Sequence, residues 1–219
     1  MTDPGRRPKG AARLVVVVTD RAAAAAGGRR LVDVVAASAA AGAGAVLLRE
    51  KDLPRTERRD LARELRAVTA RAGTALWVAG DAGLAREVGA DALHLAAADP
   101  WPAPGAGIAA GRSCHTVAEL VAARQRGAAH ATYSPVFATA SKPGYGPPLG
   151  PAGLAAGCRA VPDLRVIALG GIVPGRVATC AGAGAAGVAL MGAVMRADDP
   201  AAVVASVVDE LRAREGAGR

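Results

Sequence analysis

The sequence predicts an α/β fold built as a single (β/α)8 TIM barrel, and three observations support this prediction. Short apolar runs rich in β-branched residues alternate with amphipathic stretches along the chain. These runs are almost continuously apolar, which is typical of parallel strands buried on both faces. Eight strand-and-helix units fit within the 219 residues, and that number favours a closed barrel over an open sheet.

The predicted strands are short and follow one another along the whole chain. In order they cover residues 14–19, 45–50, 75–79, 92–95, 107–111, 131–136, 165–169 and 187–191. Pro54 marks the start of the second helix and Pro200 that of the last helix, because proline suits the first turn of a helix. Gly73, Gly89 and Gly127 stand where helices would end, because glycine readily adopts the left-handed conformation of a helix cap.

Apolar residues recur at helical spacing between most of the strands. They are Leu31, Val34 and Val35, then Leu61, Leu65 and Val68, then Val117, Leu120 and Val121, and finally Val203, Val207, Val208 and Leu211. The fourth unit is the exception, because Asp99-Pro100-Trp101-Pro102 leaves little room for a helix. We expect one barrel over residues 11–214, with flexible tails at 1–10 and 215–219.

The charge pattern and the few aromatic residues argue against a nucleic-acid-binding protein. The formal net charge is +8, but part of the excess lies in the N-terminal tail. Another part is a row of arginines interleaved with acids between residues 55 and 71, as on a solvated helix face. The chain has only two Trp, two Tyr and one Phe, too few to stack on bases. We therefore expect small anionic molecules as partners.

The cysteines and apolar stretches predict a cytoplasmic protein. Cys114, Cys158 and Cys180 are widely spaced and form neither a disulfide framework nor the paired pattern of a zinc site. The apolar stretches are too short for a membrane span, and the N-terminus lacks the long apolar segment of a signal peptide. We expect no membrane partner; a homo-oligomer is an open alternative.

Polar residues follow most of the predicted strands. If the strands are parallel, their carboxyl ends bring these side chains to one mouth of the barrel. The set is Thr19, Asp20, Arg49, Lys51, Asp81, Asp99, Ser113, His115, Thr139, Ser141 and Lys142, completed by the turns Gly170-Gly171 and Met191-Gly192.

Two parts of this set predict phosphate binding. The loop after the sixth strand carries Thr139, Ser141 and Lys142, and hydroxyl groups beside a positive charge suit phosphate oxygens. Gly170-Gly171 would let backbone N–H groups approach an anion closely, although an ordinary tight turn explains the pair equally well.

Asp81 and Asp99 have the character of a magnesium pair. A magnesium ion with phosphate in its shell takes one or two carboxylates from the protein. Arg49, Lys51 and Lys142 would neutralise the remaining phosphate charge. Either aspartate alone is better explained as a helix cap or a solvated loop residue, so the hypothesis depends on their combination with the three cations.

The histidines differ in what their surroundings predict. His115 is a candidate general acid or base, or a residue that orients the following helix. His94 lies within an apolar strand and is predicted to be a hydrogen-bonded core residue. Cys114 is a poor partner for His115 in nucleophilic catalysis, because adjacent strand residues point to opposite faces. His130 receives no role.

Several segments together resemble the thiamine phosphate synthase/TenI family of barrels. They include Leu48-Arg49-Glu50-Lys51 and Gly111-Arg112-Ser113-Cys114-His115-Thr116, together with residues 17–20, 90–95, 134–142, 169–172 and 183–189, and thus cover nearly the whole chain. Synthases of this family join a hydroxymethylpyrimidine diphosphate to a thiazole phosphate and release diphosphate. The resemblance implies the same activity and a Mg²⁺ cofactor here.

The resemblance also implies roles for individual residues. Arg49 and Lys51 would hold the diphosphate. Ser113 and Lys142 would contact the diphosphate and its leaving oxygen. The magnesium ligands would be Asp81 and Asp99. The thiazole phosphate would lie near Thr139, Ser141, Gly170, Gly171, Met191 and Gly192.

The chain departs from the family's pattern at three places, which leaves alternatives open. Leu47 stands where the synthases usually have Gln, Gly80 where they have Asn, and Ala96-Ala97 where they have Gly-Gln. The resemblance implies that the first two changes remove polar contacts to the pyrimidine. One alternative is a TenI-like thiazole tautomerase that uses His115 as its proton shuttle, and another is a non-catalytic barrel that binds thiamine-related phosphates. The two aspartates favour the synthase, because the tautomerase relatives tend to lack them.

Overall fold

The strands of the chain close into a barrel. The computed structural model describes residues 13–103, 107–139 and 147–216. Within these ranges eight parallel strands pair in chain order, and the last pairs with the first. The predicted (β/α)8 fold is therefore confirmed.

The eight strands lie at the centre of the molecule. They are β1 Leu14–Val18, β2 Ala45–Leu48, β3 Ala75–Ala79, β4 Ala92–Leu95, β5 Ala109–Cys114, β6 His130–Tyr133, β7 Val166–Leu169 and β8 Gly187–Leu190. The described helices surround them. They are α1 Arg21–Ala26, α2 Leu31–Ala40, α3 Arg55–Ala72, α4 Ala82–Glu87, α5 Val117–Gln125, α6 Gly150–Ala160, α7 Val177–Gly182, α8 Gly192–Met195 and α9 Pro200–Gly216.

Alternation along the strands divides the core into two layers. Val15 and Val17 of β1 belong to the layer between the barrel and its helices, whereas Val16 and Val18 belong to the cluster inside the barrel. All four are at most 3% exposed. The inner cluster is built from small and branched residues with one large ring, Trp77. Such strands therefore read as continuous apolar runs, because both of their faces are covered.

β5 differs most from its prediction. It was expected at residues 107–111 but runs from Ala109 to Cys114. Arg112 and Ser113 carry polar side chains, which the sequence pattern assigned to a loop. In the structure Ser113 faces the polar interior around His94, and Arg112 faces the connection between β4 and β5.

The connection between β4 and β5 contains no helix in its described residues, as expected from its prolines. The Arg112 guanidinium occupies this side of the barrel instead. It donates hydrogen bonds to the carbonyl oxygens of Ala97 and Asp99, and it lies 4.5 Å from the ring centre of Trp101. One side chain thus secures the loop to the sheet.

The arginine row on α3 is not simply a solvated face, which corrects the prediction. Arg58 is only 15% exposed and binds Asp81 at 2.7 Å. Arg63 binds Glu87 at 3.1 Å, and Arg66 forms another ion pair at 2.6 Å with the acid that precedes β4. These ion pairs tie α3 to α4 and to the start of β4.

The helix ends and the tails can be compared with their predictions. α3 ends at Gly73, whose φ of 68° is the left-handed conformation that favours glycine. α9 extends to Gly216, into the predicted C-terminal tail. The N-terminal tail and residues 217–219 lie outside the described residues, as do Ser141 and Lys142. No helix in the described ranges is both long and apolar enough to cross a membrane.

Candidate functional site

A cavity of about 590 Å³ opens at the carboxyl ends of the strands. The predicted site residues in its wall are Arg49, Lys51, Ser113, His115, Thr139, Gly170, Gly171, Met191 and Gly192. They follow or end five different strands, and the closed barrel brings them together. The strand ends are where ligands bind in this fold.

Two cations lie on the β2 side of the cavity. The backbone N–H of Arg49 donates to Thr19 Oγ1 at 2.9 Å, which holds the chain as it leaves β2. Between the cations, Glu50 is buried and binds the backbone and guanidinium of Arg21. Because successive residues alternate in direction, Arg49 and Lys51 both face the cavity. Their charges suit an anionic ligand.

Asp81 is held at the start of α4. Its Oδ1 accepts the N–H of Leu84 at 2.8 Å, and its Oδ2 accepts a hydrogen bond of 2.7 Å from Arg58. Arg55 lies 3.6 Å from the same oxygen. Partial burial raises the pKa of Asp81, but the Leu84 N–H, Arg58 and Arg55 favour the ionised form. The pKa of Asp81 therefore lies below its ordinary value. Asp81 therefore serves as a helix cap and an arginine partner.

Asp99 lies closer to the cavity cations. Its Oδ2 accepts the N–H of Ala96 at 2.7 Å and is 3.8 Å from Lys51 Nζ. The same oxygen would lie 3.5 Å from a Cβ added to Gly80, so it sits directly over the turn that precedes Asp81. Neither aspartate belongs to the described wall of the cavity.

The donor set fits a magnesium ion at Asp99 better than at Asp81. One carboxylate beside a lysine of the cavity is sufficient for an ion that takes its other ligands from phosphate and water. Asp81 already has a hydrogen bond on each oxygen. Among the described residues no group of three or more His, Cys, Asp or Glu side chains is placed to hold a metal ion.

Ser113 belongs to a buried polar chain inside the barrel. His94 Nε2 lies 3.0 Å from Ser113 Oγ, and His94 Nδ1 lies 3.0 Å from His130 Nε2. The His130 ring stacks on Trp77 with 3.9 Å between ring centres. His94 is thus a hydrogen-bonded core residue, as predicted. His130 received no role because its partner His94 is distant in the sequence. β6 begins at His130, one residue earlier than predicted, and this places it on the same face of the strand as Thr132.

His115 follows β5 and faces the cavity. Its Nδ1 lies 2.9 Å from the carbonyl oxygen of Ser134. A carbonyl can only accept, so Nδ1 carries a proton and donates to it. Glu119, within the capping box of α5, accepts the backbone N–H of His115 at 2.5 Å. His115 therefore borders the cavity, and its backbone N–H takes part in the cap at the start of α5.

Cys114 faces the opposite side of β5 and is fully buried. Burial, together with the nearby charge of Glu119, raises the pKa of its thiol to about 12. The thiol therefore stays protonated at neutral pH and is not a nucleophile.

The turn after β7 requires glycine, both for its backbone conformation and for its close contacts. Gly170 and Gly171 have φ values of 97° and 64°. A Cβ on Gly170 would lie 2.8 Å from Pro135 Cα, so glycine is required by both conformation and space. Arg176 donates to the carbonyl oxygen of Gly171 at 2.8 Å and lies 4.8 Å from the ring centre of Phe137.

Arg176 and Arg196 also line the cavity, and the sequence pattern predicted neither. Arg196 lies over Gly192, where a Cβ would collide with its guanidinium. The spacing after each glycine turn was the available signal, because a cation four or five residues later lies within reach of the same turn. The cavity therefore has cations on two sides.

The loop that carries Thr139, Ser141 and Lys142 leaves the barrel through a fixed neck. Val136 N and Phe137 N donate to Leu169 O and Gly170 O, and Leu149 N and Gly150 N donate back to Pro135 O and Val136 O. The four bonds measure 2.8 to 3.0 Å. Thr139 borders the cavity just beyond this neck.

Apolar side chains line part of the cavity wall on the β1 to β4 side, next to Arg49, Lys51 and His94. They belong to Val18, Leu47, Ala79, Ala96 and Ala97, and Leu47 is buried. The departures at Leu47, Ala96 and Ala97 therefore leave aliphatic groups at this wall.

Comparison with known protein families identifies the family to which this barrel belongs. Residues 15–194 match the family model described as "Thiamine monophosphate synthase". The chain belongs to this family.

Relatives within the thiamine monophosphate synthase family cover most of the chain. A thiamine-phosphate synthase of Methanoculleus marisnigri is 37% identical over 183 residues, which are 81% of this chain and 86% of the relative. A putative thiamine-phosphate synthase of Geobacter sulfurreducens is 40% identical over 161 residues, 71% of this chain and 75% of the relative.

A larger relative contains a similar region. The thiamine biosynthesis bifunctional protein ThiM/ThiE of Symbiobacterium thermophilum is 40% identical over 176 residues, or 78% of this chain. That region is 36% of the bifunctional protein, so the chain spans about a third of this relative.

A solved structure shows the same fold. Thiamine phosphate pyrophosphorylase from Pyrococcus furiosus superimposes with a TM-score of 0.82 at 24% identity, covering 94% of this chain and 99% of the other.

Proposed function

We propose that the chain acts as a thiamine phosphate synthase, which joins a hydroxymethylpyrimidine diphosphate to a thiazole phosphate and releases diphosphate. The observation that carries the proposal is the single cavity with Arg49 and Lys51 on one side and the glycine turns after β7 and β8 on the other. Two phosphorylated substrates need two anion sites that face a common space. Membership of the thiamine monophosphate synthase family supports the assignment.

The first anion site would act on the leaving group. Arg49 and Lys51 would bind the diphosphate and stabilise the charge that develops as its bond to the pyrimidine breaks. Ser113 would donate a hydrogen bond to a diphosphate oxygen. Lys142 would add a further positive charge from the loop after β6.

The second anion site would position the nucleophile. The thiazole phosphate would bind the backbone N–H groups at Gly170-Gly171 and Met191-Gly192, with Arg176 and Arg196 as cations beside them. Thr139 and Ser141 would add hydroxyl donors. Fixing the phosphate aligns the thiazole nitrogen with the pyrimidine carbon, and such alignment contributes much of the rate in reactions of two bound substrates.

A magnesium ion would be held by Asp99 together with diphosphate oxygens, and it would neutralise part of the leaving group's charge. Asp81 would support this site by fixing α4 and the turn before it.

The proposal is tested by measuring diphosphate release with both substrates present. We expect Lys51→Ala to lower kcat/KM on the order of a hundredfold, because a charge at the leaving group is lost. Arg124→Ala is a control, since Arg124 forms an exposed ion pair with Asp163 on the outside of the barrel. It should leave kcat/KM unchanged.

The tautomerase is the second candidate, because His115 lines the cavity with its ring oriented by the Ser134 carbonyl. Isomerisation of a thiazole phosphate carboxylate that is lost in His115→Ala but kept in Lys51→Ala would favour it over the synthase. Tight binding of thiamine phosphate without turnover of any of these substrates would indicate a binding protein.

A further inference from the structure

We infer that His130 is a positioning residue: it donates from Nε2 to His94 Nδ1 and thereby fixes the direction in which Ser113 presents its hydroxyl proton to the cavity. The direction of donation and its kinetic consequence rest on the proposed function, because an anionic ligand requires a donor. The tautomers of the imidazoles can nevertheless be measured without any substrate.

The barrel interior is shaped to hold the His130 ring. The ring is 3% exposed and stacks on Trp77 with an interplanar angle of 22°. A Cβ on Gly111, the β5 residue that pairs with His130 in the sheet, would overlap the imidazole. The ring therefore occupies space that only glycine leaves open.

The hydrogen bonds couple the protonation of three groups. One of the two nitrogens facing each other, His94 Nδ1 and His130 Nε2, must carry the proton of their 3.0 Å bond. If His130 donates, the proton of neutral His94 is on Nε2 and points to Ser113 Oγ at 3.0 Å. The Ser113 proton is then directed elsewhere, and the cavity is where this hydroxyl has access.

The charge of the cavity favours donation by His130. Arg49, Lys51, Arg176 and Arg196 line the cavity that Ser113 borders, and they suit an anionic ligand. The proposed ligand of Ser113 is a diphosphate, which can only accept hydrogen bonds, so Ser113 must donate to it.

Both rings are neutral in the folded protein. Burial lowers the pKa of His94 to about 4 and that of His130 well below its ordinary value. The direction of the hydrogen bond between His94 and His130 therefore depends on which tautomer each ring adopts, and not on the charge of either ring.

Nitrogen NMR of the histidine rings tests the inference without any substrate. The chain has three histidines, so removing one at a time assigns all ring signals. Protonated and bare nitrogens have well-separated shifts, and we expect His94 and His130 both to carry the proton on Nε2. In His130→Phe, which keeps an aromatic ring on Trp77 without its nitrogens, His94 should lose this single tautomer.

Two further variants separate positioning from packing. His130→Gln places an amide N–H donor at about the same distance from the backbone and should restore the His94 tautomer. Trp77→Phe weakens the stack but leaves the hydrogen bond, so it should lower stability without changing the tautomer.

The kinetic test uses diphosphate release. We expect His130→Phe to lower kcat on the order of tenfold, as when the partner that orients a reactive group is lost, with KM little changed. His130→Gln should recover most of this loss. In a Ser113→Ala background His130→Phe should have no further effect on kcat, because His130 acts through Ser113.

Some outcomes overturn the inference. A His94 proton on Nδ1, or an unchanged His94 tautomer in His130→Phe, contradicts it directly. Independent effects of His130→Phe and Ser113→Ala contradict the link to the reaction. A wild-type protein without synthase activity refutes the proposed function alone, since the nitrogen spectra still decide the tautomer.

Discussion

Asp81 and Asp99 have different surroundings, although the sequence suggested that they act as a pair. Asp81 is bound to the first turn of α4 and to Arg58. Asp99 lies on the β4–β5 connection beside Lys51. The same residue type therefore caps a helix at one strand end and lies beside the cavity residue Lys51 at the next.

Matched substitutions distinguish these two roles. We expect Asp99→Asn to raise the magnesium concentration for half-maximal diphosphate release about tenfold, because a charged ligand is lost, and to change stability little. Asp81→Asn should leave the magnesium requirement unchanged and cost about 1 kcal/mol of unfolding free energy, because Arg58 loses its ion partner. Magnesium titrations and urea denaturation of both variants measure the two effects. The reverse pattern would assign the metal to Asp81.

At the level of elements, the β4–β5 connection depends on one side chain from the neighbouring strand. Arg112 binds two carbonyl oxygens of the loop and stacks on Trp101. A helix would normally cover this side of the barrel. Because Asp99 belongs to the same loop, the arginine also determines how firmly that carboxylate is held.

Replacing Arg112 should loosen this loop selectively. In Arg112→Met, which keeps the aliphatic stem, the charged hydrogen bonds are lost and we expect a cost of about 2 kcal/mol. Amide hydrogen exchange should accelerate in residues 96–103, with little change in β1 or β8. Arg124→Met is the control, because its ion pair is exposed and lies on α5. Uniformly faster exchange throughout the barrel would show that Arg112 has no special connection with this loop.

Strands and helices could be predicted from the sequence where the apolar pattern of the residues matches their burial in the fold. The strands appear as apolar runs because the parallel barrel covers both of their faces. β5 was misplaced because Arg112 and Ser113 lie in the strand with polar partners from other elements. Such partners come from distant parts of the chain, so no local pattern reveals them. Arg58 was misread for the same reason, since its partner Asp81 follows another strand.

For the whole molecule, the neutral histidines inside the barrel predict how stability depends on pH. The pKa of His94 is lowered to about 4, and that of His130 is also depressed. In the unfolded chain both rings bind protons below about pH 6.5. Unfolding therefore takes up protons between roughly pH 6.5 and 4, and stability is full above this window and falls with pH inside it.

This prediction can be measured with one variant. Near pH 5 the slope of unfolding free energy against pH should be smaller in His130→Gln than in the wild type by about 1.4 kcal/mol per pH unit, the value for one proton. Urea denaturation at several pH values gives both slopes. Equal slopes would mean that His130 accepts a proton in the folded barrel.

The whole architecture was readable from the sequence, whereas the interior of the cavity was only partly so. Strand ends on a parallel barrel face one way, and this rule alone is enough to place Arg49, Lys51, Ser113 and His115 around one space. The role of His130 was not predicted because its partner His94 lies on another strand. Arg176 and Arg196 were missed because their spacing after the glycine turns, the one available signal, was not used.

The hydrogen-bonded neck at residues 136–137 and 149–150 brings the chain back to the barrel at the place where it leaves. Among the described residues its backbone bonds join the end of β7 on one side and Pro135 and Val136 on the other. The two ends of the segment are thus held by main-chain groups, and we expect side-chain substitutions within the neck to leave the strand register unchanged.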